Sequence, residues 1–303
     1  MTSAPPAATA ALRAVKAGLE SAWGSGPMNT NEEPATGNGE LRSRPIGIFD
    51  SGVGGLSVLR EIRRELPHED VLYVADSGHA PYGDKPVAEI DRRAEAIVGF
   101  LVGQGAKAIV VACNTATGVS VDRLRERWAM PIVGIEPAIK PAAALTKSGV
   151  VGVLATTQTI ASPRFSRLVE TFAGGTTILA QPCPGLVEQV EEGDLGGAAT
   201  EQLVESYVRP LLDRGADTLV LGCTHYPFIA GVIAAVSGPK ITVIDPSAAV
   251  ARELHRRLAR TRLTAGVDRP GAVRFWSSGP PEHLRDVARR LGMDAPSVDR
   301  LPV

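Results

Sequence analysis

Cysteine is scarce in this sequence: Cys113, Cys183 and Cys223 are the only three in 303 residues. An odd, sparse set without CxxC spacing excludes a disulfide framework and a zinc knuckle, and fits a reducing compartment. An excess of one charge is also missing. Lys and Arg total 32 against 33 for Asp and Glu, a formal net charge of -1. No basic field is therefore expected to attract nucleic acid or anionic lipid. The five histidines form no HxH or HxxxH pair, so no metal site is expected. No apolar run reaches membrane-spanning length unbroken by a charge, Gly or Pro. The N-terminus lacks the order of segments a secretory signal needs. The expectation is a cytoplasmic protein without a membrane partner.

What is present is a long α/β texture. Hydrophobic residues make up 44% of the chain, enough for a substantial core. Residues 1–44 stand apart: they are rich in small and turn-forming residues, hold one candidate helix at Ala7–Trp23, and read as a mobile extension. Met28 is a candidate alternative start within them. From Pro45 onward, short β-branched runs alternate with amphipathic stretches. The strand candidates are 46–49, 71–74, 108–112, 132–135, 150–154, 177–179, 218–221, 241–244 and 273–276. The helical patterns between them include 56–65, 87–102, 119–128, 164–172, 198–212 and 248–258, and a further helix opens near Pro281. Strands that are apolar throughout, each followed by a helix, predict mainly parallel sheets covered on both faces.

The pattern contains an echo. GIFDSG at Gly47–Gly52 is followed by IVVACNTA at Ile109–Ala116. GVLATTQT at Gly152–Thr159 is followed by LVLGCTHY at Leu219–Tyr226. In each case a strand ends in a polar turn, and a later strand ends in Cys. This predicts two pseudo-symmetric α/β domains: residues 45–136 with 246–303, and residues 137–245. The two strand-end cysteines would then share the cleft between domains, where open α/β sheets bind ligands.

A single buried Cys is commonly a small hydrophobe. Two at repeat-related strand ends suggest symmetric chemistry instead. A helix N-terminus beside each can lower a thiol pKa from about 8.5 toward neutrality. Racemisation has that symmetry, since one base removes a proton from one face of a carbon and an acid supplies another from the opposite face. Asp50 either caps the next helix or assists Cys113 and the substrate. Gly52, Gly54 and Gly55 lack both Walker and GxGxxG spacing and read as a tight turn whose amides could bind a carboxylate. His225 is either structural or a partner that tunes Cys223. Pro81-Tyr82-Gly83 reads as a turn, Thr156 and Thr159 as helix caps, Glu191 as a surface residue and Cys183 as a structural thiol.

At these residues the sequence resembles the bacterial glutamate racemases of peptidoglycan synthesis. The matching segments are FDSGVGGLSV (Phe49–Val58), APYGDK (Ala80–Lys85), ACNTA (Ala112–Ala116), Thr156 with Thr159, VEEG (Val190–Gly193), GCTHYPF (Gly222–Phe228) and IDPSAAVA (Ile244–Ala251). They occur in family order from about Pro45 to the end of the chain. The resemblance implies cofactor-independent interconversion of L- and D-glutamate by two bases, Cys113 acting on D-glutamate and Cys223 on L-glutamate. It also implies assistance from Asp50, His225 and Glu191, and substrate contacts from Asp50, Ser51, Tyr82, Gly83, Asn114, Thr115, Thr156, Thr159, Thr224 and His225. Glutamate is the expected small-molecule partner, and a homodimer is an assembly the family uses. Ala155, Gln158 and Pro163 depart from the family pattern. The alternatives are a sibling racemase acting on aspartate, which His225-Tyr226-Pro227 disfavours, or on a hydantoin, and a cleft that binds an amino acid without turnover.

Overall fold

A computed structural model describes residues 37–266, 269–293, 295 and 297–303. The candidate helix at Ala7–Trp23 and Met28 lie outside the described residues. Ten strands form two sheets in which every described pairing is parallel. The first sheet holds β1 (Ile46–Asp50), β2 (Val71–Ala75), β3 (Ala108–Val111), β4 (Ile132–Gly134), β9 (Val273–Ser277) and β10 (Val298–Arg300), in the order β10-β9-β2-β1-β3-β4. The second holds β5 (Val150–Ala155), β6 (Thr177–Pro182), β7 (Thr218–Gly222) and β8 (Thr242–Ile244), in the order β6-β5-β7-β8.

The order β2-β1-β3-β4 repeats as β6-β5-β7-β8, so the sequence echo is an echo of topology. Asp50 ends β1 beside Ala75 of β2, and Ala155 ends β5 beside Pro182 of β6 and Gly222 of β7. Cys113 follows β3 closely and Cys223 follows β7 directly, so the two thiols occupy equivalent places. The central strands β1, β3 and β7 are buried at every position, as strands covered on both faces must be. Ile46 and Ile48 face a core shared with Leu154, Leu219 and Leu221 of the second sheet, while Phe49 joins Ile97 and Val111 on the opposite face.

Most expected elements appear within a residue or two, with four informative differences. The helix expected from Val119 runs Asn114–Arg127, because the Cys113 side chain caps it by accepting from Ala116 N. The helix Leu186–Glu191 has no counterpart among the expected elements; it is six residues long and opens after Gly185 at φ +85°. β10 has none either, since its three residues are partly or largely exposed and carry no buried pattern. Finally, the extension expected up to residue 44 carries a helix near its end. Gly37–Ser43 is helical, with Arg42 Nε donating to Arg262 O at 3.0 Å and Arg42 O accepting from Lys107 Nζ at 2.6 Å. Pro163, in turn, breaks nothing. It begins the helix Pro163–Phe172 after the Ser162 cap, where a missing N–H costs no hydrogen bond. No helix among the described residues is long and apolar enough to cross a membrane.

A buried ion pair fastens the floor of the first sheet. Lys107, just before β3, places Nζ 2.5 Å from Glu69 Oε2, and both side chains are fully or almost fully buried. The other Glu69 oxygen accepts from Ala265 N at 2.7 Å, tying in the C-terminal segment that leads to β9. Burial pulls the Lys107 pKa down, and Glu69 opposes it. Removing one partner leaves an uncompensated buried charge. Glu69→Ala should therefore cost about 3–5 kcal/mol in urea-unfolding experiments. The double replacement Glu69→Met/Lys107→Met should cost less than either single change.

Candidate active site

The turn after β1 is built around two carboxylates. Asp50 is fully buried; Oδ1 accepts from Ser51 N at 2.7 Å and Ser51 Oγ at 3.3 Å. Its Oδ2 accepts from Gly55 N and from Thr224 Oγ1, the latter at 3.1 Å from the opposite half of the chain. Glu191 Oε1 accepts from Val53 N at 2.8 Å. The turn amides thus bind carboxylates, as expected, but the carboxylates are the protein's own. A Cβ on Gly52 would collide with Glu191, and one on Gly54 would collide with His225 and lie 2.6 Å from Thr224 Oγ1. Glycine here makes room for the catalytic candidates.

Cys113 is buried, with Sγ 3.5 Å from Ser51 Oγ and 3.4 Å from Ala116 N. The thiol lowering expected from its helix start does not prevail. Burial pushes the thiol well up, the Asp50 charge adds to this, and the bonds from Ser51 and Ala116 only oppose it. Asp50 itself is pushed up to about 6 by burial, against the pull of the His225 charge and Ser51 N.

Cys223 lies in different surroundings. Its Sγ is 3.6 Å from Nδ1 of His225, whose Nε2 is 2.7 Å from Glu191 Oε1. Burial works against a charged His225, but the bonds to Cys223 and Glu191 outweigh it and hold the imidazole well above its usual pKa. Glu191 is correspondingly held at about 2: burial opposes this, while His225, His283 and Val53 N favour the carboxylate. The surface placement expected for Glu191 is therefore replaced by a largely buried hub.

Both thiols line one small cavity of about 260 Å³. Around it stand Ser51, Tyr82, Gly83, Asn114, Thr115, Thr156, Thr224 and His225, all expected there, together with Pro81 and Val187, which were not. Asp50, Glu191 and Thr159 support the wall from behind it. Thr115 Oγ1 meets Thr156 Oγ1 at 2.9 Å and Thr159 Oγ1 at 3.3 Å, and Thr156 also accepts from Thr159 N as a helix cap. The cap and the site wall are one structure. Neither polar atom of the buried Asn114 amide has a hydrogen-bond partner among the described residues. Such a group is costly unless something in the cavity engages it.

Two departures from the family pattern find places here. Gln158 Nε2 donates to Lys85 O at 3.0 Å, joining the helix Thr157–Ala161 to the segment behind Tyr82 and Gly83. Ala155 occupies the β5 position equivalent to Asp50. Cys183 is buried outside the cavity, with Sγ 3.3 Å from Gln181 O. Asp76 joins the site without having been a candidate: it accepts from Tyr82 OH at 2.5 Å and from Arg93 at 2.7 and 2.9 Å, fixing the ring at the cavity wall. The signal for it is Asp76-Ser77-Gly78, which repeats Asp50-Ser51-Gly52 at the end of the neighbouring strand.

Residues 46–254 match the family described as Asp/Glu/Hydantoin racemase. A glutamate racemase from Methylococcus capsulatus is 55% identical over 266 residues, covering 88% of this chain and 96% of that protein. An Escherichia coli glutamate racemase structure, solved with L-glutamate and the activator UDP-MurNAc-ala, superposes with a TM-score of 0.75. It is 36% identical, and the match covers 85% of this chain and 98% of that one. A Francisella tularensis glutamate racemase structure with D-glutamate gives a TM-score of 0.76 at 31% identity, over 86% and 98% of the two chains. The parallel α/β architecture, the paired thiols and these likenesses agree: the chain belongs to the aspartate/glutamate/hydantoin racemase family and, within it, to the glutamate racemases.

Proposed function

We propose that this chain interconverts L- and D-glutamate by a two-base transfer of the α-proton, with Cys113 and Cys223 on opposite faces of the substrate. The observation that carries this reading is their placement. Two thiols at topologically equivalent strand ends line a single small cavity. Relatives of this chain have been captured with L-glutamate and with D-glutamate, which supports a site that accepts both.

The chemistry requires one thiolate and one thiol. Cys223 has a cationic partner in His225, and Cys113 has an anionic neighbour in Asp50. Conversion of L-glutamate requires thiolate at Cys223 and thiol at Cys113, and these neighbours favour that arrangement. In that state Cys223 removes the α-proton of L-glutamate and Cys113 protonates the opposite face, giving D-glutamate. The return direction needs Cys113 deprotonated, and Asp50 is placed to assist. The α-hydrogen is a very weak acid, so the carbanionic intermediate must be stabilised by fixed donors in a water-poor site. The Asn114 amide, the hydroxyls of Ser51, Thr115, Thr156 and Thr224, and the backbone at the helix start after Cys113 supply them. No cofactor enters this scheme.

The enantiomers have equal free energy in water, so the equilibrium constant is unity. The two directions must then share one kcat/KM. Unequal surroundings of the thiols can appear only as matched differences in kcat and KM. We further place the reaction in the cytoplasm, where thiols stay reduced, with D-glutamate supplied to peptidoglycan synthesis. The unit is two α/β domains, 45–136 with 246–303 and 137–245, assembled as a homodimer.

In deuterated water both enantiomers should gain α-deuterium and interconvert. Cys113→Ser and Cys223→Ser should each lower racemisation by at least about 10²-fold, because a serine hydroxyl is too weak an acid and base near neutrality. Near-normal turnover by either variant would overturn the two-base assignment. The pH profile carries a second prediction. Asp50 assists as a carboxylate, so kcat/KM should decline as pH falls through about 6. The residual activity of Asp50→Asn should lack that acid limb; a limb unchanged in this variant would assign it to another group.

A further inference from the structure

The cation that partners Cys223 is buried, yet a path of increasing exposure leads from it toward solvent. His225 is 2% exposed and pairs through Nε2 with Glu191 Oε1, whose side chain is 15% exposed. The other Glu191 oxygen lies 3.6 Å from Nε2 of His283, which is 38% exposed. His283 stands on the helix Pro281–Arg290, in the C-terminal segment between β9 and β10. Glu191 itself comes from the helix Leu186–Glu191, between strands of the second sheet. The carboxylate that anchors His225 is thus gripped from the other half of the chain at two points, by Val53 N and by His283.

We propose that His283 is a positioning residue for the Cys223 arm, holding Glu191 against His225 and setting, through its own charge, how tightly Glu191 retains the His225 proton. This inference rests on the two-base reading. With His283 charged, Glu191 divides its attraction between two imidazoles. With His283 neutral, the carboxylate acts on His225 with less competition. The charged groups facing His283 are Glu191, from the packed helix, and Asp286 and Arg290 on its own helix. The Glu191 carboxylate, 3.6 Å away, raises the His283 pKa most, burial opposes it, and Arg290 opposes it further. His283 therefore changes charge above its ordinary range, within reach of working pH.

Two substitutions separate charge from packing. His283→Lys keeps a cation beside Glu191 across the working range, and His283→Gln keeps a hydrogen-bond donor without charge. The His225 ring, followed by NMR against pH, should titrate lower in the Lys variant than in the Gln variant. The expected separation is about half a pH unit, or roughly three-fold in the protonation ratio. The wild-type kcat profile should follow the Lys variant at low pH and the Gln variant at high pH. Coincident His225 titrations in the two folded variants, with a wild-type profile matching the Gln variant throughout, would overturn the proposal. Cys223→Ser, assayed alongside, separates the outcomes. If it stays active the two-base reading fails; if it is inactive while the two variants coincide, only the role of His283 fails.

Discussion

The site depends on the grip that the Ser51–Gly55 turn exerts on two carboxylates. Gly55 N holds Asp50, and Val53 N holds Glu191. Each carboxylate in turn fixes a group beside a thiol: Asp50 accepts from Thr224, next to Cys223 in sequence, and Glu191 pairs with His225. Backbone amides are suited to this work because they cannot rotate away or change protonation. Side chains approach the amides closely only because Gly52 and Gly54 carry no Cβ. Two of these bonds, Val53 N to Glu191 and Thr224 to Asp50, also join one half of the chain to the other. Thr115 to Thr156, Gln158 to Lys85, and Ser57 Oγ to Thr224 O at 3.0 Å complete the stitching. The thiols are held in register by the walls of the cavity they serve.

The two halves share topology without sharing electrostatics. Asp50 ends β1 where Ala155 ends β5, so one half carries a strand-end carboxylate and the other does not. His225 stands two residues after Cys223, where Thr115 stands two after Cys113. Duplication of the α/β unit supplies two strand-end thiols; divergence of their neighbours supplies opposite charges beside them. On the two-base reading the pair must hold one proton between two thiols, and these unlike neighbours bias where that proton sits.

The architecture is legible in the sequence because its strands are apolar throughout and their spacing repeats. The central strands of the parallel sheets are buried on both faces, so composition alone separates them from helices. Cys113, Cys223, Asp50 and His225 are legible for a related reason, since each lies at or just after a strand end, where such sheets present ligands. Glu191 is different. In VEQVEEG its neighbours look like a solvated face; the family resemblance singles it out, and the fold shows how this one acid turns inward to meet Val53 and His225. His283 is invisible for the same reason, being one half-exposed histidine on a charged helix. Asp76 has a local signal in its repeat of the Asp-Ser-Gly turn, but nothing nearby connects it to Tyr82. Contacts between distant segments carry no local pattern.

The thiol at Cys113 shows how a local rule yields to its surroundings. A helix start favours a thiolate by about 0.3–2 kcal/mol. Complete burial beside a carboxylate acts in the opposite direction, and buried groups shift by up to about 3–5 units. The larger effect prevails, and the Cys113 thiol is pushed well up. The same burial that disfavours its thiolate also limits access to it from solvent. On the two-base reading, a small cavity lined by both thiols is what makes each proton transfer face-selective. On the two-base reading proposed above, the asymmetry of charge favours one thiol as the first base, while the shared kcat/KM of the two enantiomers lets that asymmetry appear only as matched differences in kcat and KM.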